Sequence, residues 1–137
     1  MRIKEAMKTS VKTITADRPL DEAADLMKRF GIQHLVVMEH GAVVGILSDG
    51  DIARHEGRGL VGTAMTRGVI TVDVDDLISR AANVMRGKSI ECLVVTHGTK
   101  LAGVITTNDL LEIMGQTGHR ERMVLRDRGR RHSRARS

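Results

Sequence analysis

Sliding the chain 58 residues along itself aligns residues 6–52 with residues 64–110 without a gap. Fourteen of the 47 aligned pairs are identical, where average amino-acid usage gives about three by chance, one match in roughly 15–20. Ala6-Met7 falls on Ala64-Met65, Ala23-Ala24 and Met27 on Ala81-Ala82 and Met85, and Leu35-Val36-Val37 on Leu93-Val94-Val95. Gly45 and Asp51 fall on Gly103 and Asp109. A duplication of one unit is the simplest account, and it requires both copies to fold alike.

Each copy reads as β-α-β-β-α. A short strand is expected at Val11–Thr15 and again at Val69–Asp73. Leu20, Ala23, Ala24, Met27 and Phe30 then recur at helical spacing, as do Ile78, Ala81, Ala82 and Met85. Asp17 is a candidate helix cap with Pro19 in the first turn, and Asp75-Asp76 are expected to open the second helix. Leu35–Met38 and Leu93–Thr96 are apolar β-branched runs, the pattern of buried strands. His40-Gly41 and His97-Gly98-Thr99-Lys100 read as hairpin turns, returning through Ala42–Ser48 and Leu101–Thr106. Short helices are expected near Asp51–Glu56 and Asp109–Met114, with residues 56–63 as a Gly-rich linker.

One copy of about 47 residues has too little core to stand alone. Two copies packed face to face bury both apolar sheet faces and create a pseudo-twofold axis. Such an axis places two equivalent clefts between the copies, and clefts at interfaces are where small ligands usually sit. The division expected is residues 1–58, residues 59–117, and a tail of 118–137. The tail carries eight Arg against two acids, a net +6, which leaves 14 basic and 15 acidic residues, net −1, in 1–117. The body is thus near neutral. The tail is either a solvated extension or an electrostatic arm for nucleic acid or an acidic partner, and it lacks aromatics for base stacking.

The segment with most chemical content recurs as Gly45-Ile46-Leu47-Ser48-Asp49-Gly50-Asp51 and Gly103-Val104-Ile105-Thr106-Thr107-Asn108-Asp109. A hydroxyl cap followed by a first-turn acid is ordinary helix-start chemistry. The alternative stands beside it: a carboxylate can accept both hydroxyls of a ribose, and free N–H groups at a helix start suit an anion.

Taken together, these marks resemble the CBS domain, the module named after cystathionine β-synthase. They are Ala-Met before the first strand, the Ala-Ala helix, the Ile-x-x-Leu-Val-Val strand and the Gly-h-h-Ser/Thr-x-x-Asp ending (h, apolar), across residues 3–115. The resemblance implies an α/β (α+β) tandem pair, often called a Bateman module, that binds AMP, ATP, NAD or S-adenosylmethionine and commonly pairs into dimers. Carried onto this chain, it implies that Asp51 and Asp109 bind ribose hydroxyls, with Ser48, Thr106 and Asn108 beside them. Thr13-Ile14 and Thr71-Val72 would lie near the base, as would Ile32 and Ile90. Gln33-His34 and Glu91-Cys92 would lie near the phosphate, and Arg54 could also reach it. Glu91 and Glu112 make the second copy more acidic, so the site centred on Asp51 is expected to suit a charged nucleotide better.

The functional expectation is a cytoplasmic regulatory module with an adenine nucleotide, AMP first, as its ligand. It would need no cofactor and act on a partner protein not identified by the sequence. A ligand-free dimeric scaffold, or nucleic-acid binding through the tail, are the alternatives. A homodimer is expected through helix faces around Leu26, Met27, Met85 and Leu111. Catalysis has little support, because no nucleophile–base constellation or phosphate loop appears. The six His residues lack ligand spacing for a metal. Cys92, the single cysteine, reads as a buried, inert thiol and forbids an intramolecular disulfide. The N-terminus has no apolar run of the secretory kind, and no stretch approaches the roughly 18 apolar residues that span a bilayer.

Overall fold

The computed structural model describes residues 1–115. The basic tail of 118–137, and with it any contact to nucleic acid through those residues, lies outside the described residues. Two three-stranded sheets form, one per copy. The first holds β1 (Thr13–Thr15), β2 (His34–Glu39) and β3 (Ala42–Ser48). The second holds β4 (Thr71–Asp73), β5 (Cys92–His97) and β6 (Lys100–Thr106). Helix α1 (Leu20–Phe30) links β1 to its parallel neighbour β2, and α4 (Ile78–Lys88) links β4 to β5. Short helices follow each hairpin: α2 (Asp49–Arg54) in the first copy and α5, over 107–115, in the second.

The duplication is kept down to its irregularities. Val36 faces Thr13 and Ile46, and Val94 faces Thr71 and Val104. Each hairpin slips register at the same place, between Val37 and Met38 and between Val95 and Thr96. His40 and Gly41 both take positive φ, +50° and +78°, the backbone of the two-residue turn that matches strand twist.

The cores reveal an exchange. Leu20, Ala23, Met27, Leu35, Val37 and Leu47 of the first copy are completed by Val61, Ala64 and Met65. These three lie in or just after α3 (Val61–Ala64), a turn of helix where a linker was expected. Ala81, Met85, Leu93, Val95 and Ile105 of the second copy are completed by Ile3, with Ala6 and Met7 packed alongside. Each lead segment therefore belongs to the other copy's core. Its hydrogen bonds are paired in the same sense: Val61 and Gly62 N–H donate to Arg18 and Ala16 carbonyls at 2.8 Å, and Ile3 and Lys4 N–H donate to Asp76 and Val74 at 2.8 and 3.0 Å. Neither copy has a complete core without its neighbour.

The exchange also corrects the helix starts. Asp17 caps nothing; it accepts from the Thr15 hydroxyl at 2.6 Å, and α1 begins after Pro19. Asp76 accepts the Asp73 N–H at 2.8 Å and pairs with Arg80, and α4 begins after Leu77. The first N–H of each helix is taken by a backbone carbonyl of a lead segment, Leu20 by Gly59 (2.9 Å) and Ile78 by Met1 (3.0 Å). The two first strands are correspondingly shorter than expected. Met27 and Met85 are buried in their own cores and cannot offer a dimer face, whereas Leu111 is exposed. No helix among the described residues is long and apolar enough to cross a membrane.

Candidate functional site

The exchange leaves two clefts lined by both copies and related by the 58-residue repeat. One, of about 420 Å³, is centred on Asp51; the other, of about 590 Å³, is centred on Asp109. Both fall in the roughly 300–1,000 Å³ of small-molecule sites. Their walls correspond position by position under the 58-residue shift and are crossed between copies. Ser48, Asp51 and Arg54 face Thr66, Gly68–Ile70 and Ile90 in the first cleft. Thr106, Asn108 and Asp109 face Lys8, Ser10–Lys12 and Ile32 in the second. Gln33, His34 and Glu91 line both clefts, and Cys92 lines the first.

The glycines of the recurring segment explain how the lead segments come so close. A Cβ on Gly45 would meet Met65 Sδ at 2.6 Å and the Thr66 carbonyl at 2.9 Å; one on Gly103 would meet the Lys8 carbonyl at 2.4 Å. Only glycine lets Lys8 and Val104 exchange their two backbone hydrogen bonds, and Thr66 and Ile46 likewise.

Asp51 and Asp109 are the two buried charged residues among those described, 4% and 3% exposed. Each divides its two oxygens between two jobs. Oδ2 of Asp51 accepts the Ser48 N–H at 2.8 Å while the Asp51 N–H donates to the Ser48 hydroxyl at 3.1 Å. Oδ2 of Asp109 accepts the Thr106 N–H at 2.8 Å and its hydroxyl at 3.1 Å. This is the reciprocal cap of a helix start. The outer oxygens do something else: Oδ1 of Asp51 pairs with Arg54, and Oδ1 of Asp109 with Lys8 Nζ at 3.2 Å. The helix-start reading and the ligand reading thus fall on different oxygens of one carboxylate. The cations on the outer oxygens are mostly exposed, so exchanging them for ligand hydroxyls costs little packing.

Burial holds the His34 imidazole below its ordinary range, against the opposing pull of Glu91, Asp49 and Asp51. The hydrogen bond to Asp109, and then the charges of Asp109 and Glu112, hold the Lys8 ammonium above its ordinary range. Burial pushes the Cys92 thiol up to about 12, so it is no nucleophile at neutral pH. Among the described residues no three His, Cys, Asp or Glu side chains converge as a metal site. A further depression beside the start of α4 is an open groove whose Asp75 and Asp76 are already paired with Lys4 and Arg80.

Four residues expected at the site are elsewhere. Thr13 and Thr71 lie on the exposed side of β1 and β4, and Ile14 and Val72 point into the two cores. Strand pairing starts only at Thr13 and Thr71, so the residues just before them, 10–12 and 68–70, form the cleft walls instead. Lys8, Lys12 and Phe30 were missed altogether. Their presence weakens the expected ranking of the two sites: Glu91 faces both clefts, and Glu112 lies 3.8 Å from Lys8.

Two intertwined β-α-β-β-α units with a matching pair of clefts between them define a tandem-repeat module. The chain belongs to the CBS-domain family: the model described as "CBS domain" matches it twice, over residues 3–58 and 61–116. It is similar to the CBS domain-containing protein YhcV of Bacillus subtilis, 27% identical over 114 residues that cover 79% of this chain and 81% of that protein. It also matches the L-aspartate semialdehyde sulfurtransferase of Methanocaldococcus jannaschii, 31% identical over 119 residues and 78% of this chain, but spans only 23% of that enzyme. The crystal structure of the CBS domain pair of protein MJ0100, in complex with 5′-methylthioadenosine and S-adenosyl-L-methionine, superposes with a TM-score of 0.80 at 26% identity. That match covers 85% of this chain and 98% of the other.

Proposed function

We propose that this chain is a regulatory module, not an enzyme, that binds an adenosine-type ligand between its two copies and signals occupancy to a partner protein. The observation that carries the reading is the pair of buried carboxylates, each with one oxygen fixed by a helix start and the other turned to a cleft. Ribose hydroxyls fit that outer oxygen. The apolar walls, Val69, Ile70 and Ile90 in one cleft and Val11, Ile32 and Val36 in the other, suit a purine. Gln33 and His34, shared by both clefts, are placed for the phosphate end. The adenosine compounds held by the MJ0100 pair support the ligand class. AMP is the first candidate. The Asp109 cleft, where Lys8 and Lys12 stand against Asp109, Glu91 and Glu112, is less negative than the Asp51 cleft, where Arg54 alone stands against Asp49, Asp51 and Glu91, and so suits a phosphorylated ligand better. This reverses the order expected from Glu91 and Glu112 alone.

The copies 1–58 and 59–117 act as one unit in this reading, working in the cytoplasm as a homodimer. Leu111 and Met114, 55% and 65% exposed on α5, are the apolar surface for pairing. A thermal-shift screen of AMP, ADP, ATP, NAD and S-adenosylmethionine tests the function. A rise in melting temperature with AMP is expected, and no rise with any of the five at millimolar concentration would contradict it.

A further inference from the structure

Phe30 is the single aromatic residue of the chain. It closes α1, and the left-handed turn at Gly31 (φ +63°) then carries the chain down to Ile32. The residue is 44% exposed rather than packed in the core, and it stands on the wall of the Asp109 cleft. Lys12 Nζ lies 4.2 Å from the ring centroid and lines the same wall. Val11, Ile32 and Val36 add apolar side chains to the lining of the same cleft. The positions 58 residues further on hold Lys88 and Ile70. Of these only Ile70 lines the Asp51 cleft, so where the Asp109 cleft carries an aromatic ring and a cation the Asp51 cleft carries an aliphatic side chain.

We propose that Phe30, steadied by Lys12, reads the base in the Asp109 cleft. The purine stacks on the ring, and the Asp51 cleft has no counterpart contact. An aromatic left this exposed adds little to folding, whereas base stacking on an aromatic face is a strong, geometry-tolerant interaction, and a lysine over the ring restrains it at little cost. The inference rests on the adenosine reading above and names the residue that makes the two clefts unequal.

Two backgrounds separate the clefts: Asp51→Ala leaves the Asp109 cleft intact, and Asp109→Ala leaves the other. Phe30→Ala is placed in each, and AMP and ribose 5-phosphate are titrated. In the Asp51→Ala background the affinity for AMP should fall roughly tenfold, within the range of one base–aromatic stack. Ribose 5-phosphate binding should hold within twofold, and Phe30→Tyr should restore AMP. In the Asp109→Ala background Phe30→Ala should change nothing. An equal loss in both backgrounds would show a folding effect and overturn the proposal, as would AMP binding indifferent to Phe30 in both. If the parent chain binds neither AMP nor adenosine, the adenosine reading falls and this one with it; binding that ignores Phe30 overturns this one alone.

Discussion

Replacing Gly103 by Ala tests the exchange of lead segments directly. The added methyl would sit 2.4 Å from the Lys8 carbonyl oxygen and 3.2 Å from Met7 Sδ. Carbon–oxygen contacts settle near 3.3–3.6 Å, so the lead segment must withdraw by about 1 Å. That movement strains or breaks the reciprocal bonds between Lys8 and Val104, now 2.9 and 3.0 Å. Their loss costs about 1 kcal/mol each, and overpacking adds about 1–3 kcal/mol. A net loss of about 3–5 kcal/mol is expected. Gly87→Ala is the matched control. Gly87 lies in α4 with nothing within 4 Å of an added Cβ, so alanine should raise stability by about 0.5–1 kcal/mol. Urea denaturation followed by circular dichroism gives both values. The reasoning fails if Gly103→Ala matches the parent, or if Gly87→Ala falls as far. Because the displaced segment carries Lys8 and Lys12, Gly103→Ala should also weaken AMP binding in the Asp109 cleft while sparing the other.

Two further outcomes are expected. Burial lowers the His34 pKa in the folded chain, so the unfolded chain takes up that proton first; the ligand-free protein should lose stability as pH falls below the ordinary value of 6.5, by up to about 1.4 kcal/mol per pH unit, and His34→Gln should remove that part of the dependence in urea melts run from pH 7.5 to 5. The Cys92 thiol, pushed from 9.0 to about 12, should have a thiolate fraction about a thousandfold below a free cysteine and alkylate with iodoacetamide only on unfolding; rapid native labelling would contradict its burial.

The duplicated pattern made much of the molecule legible in advance. Leu35–Val37 and Leu93–Val95 are core strands, Ser48 and Thr106 are helix caps, and Asp51 and Asp109 reach the clefts. What stayed hidden depends on which copy a segment joins. Nothing local to Ile3 says that it packs on Leu93 and Ile105 rather than on Leu35 and Leu47. The one trace was the apolar pair Ile3 and Val61, which obeys the 58-residue shift just outside the aligned stretch. Asp17 has the side chain of a cap and Asp75-Asp76 that of a helix opening, but the first N–H groups of the two helices find their partners in the distant carbonyls of Gly59 and Met1. Thr13 and Ile14 were misplaced for the same reason. With residues 8–11 committed to the other copy and its cleft, the strand starts two residues later and the cleft wall moves upstream.

The central claim is that a carboxylate oxygen in each cleft receives a ribose. Isothermal titration of AMP into the parent, Asp51→Ala, Asp109→Ala and the double variant tests it most directly. Losing two hydrogen bonds to one buried carboxylate costs about 2–3 kcal/mol, taking roughly 1–1.5 per bond, or roughly 30–150-fold in dissociation constant. Each single variant should lose one of two sites by that factor, Asp109→Ala the tighter one, and the double variant should bind AMP weaker by that factor at both. A double variant that is folded and binds AMP like the parent would contradict the account.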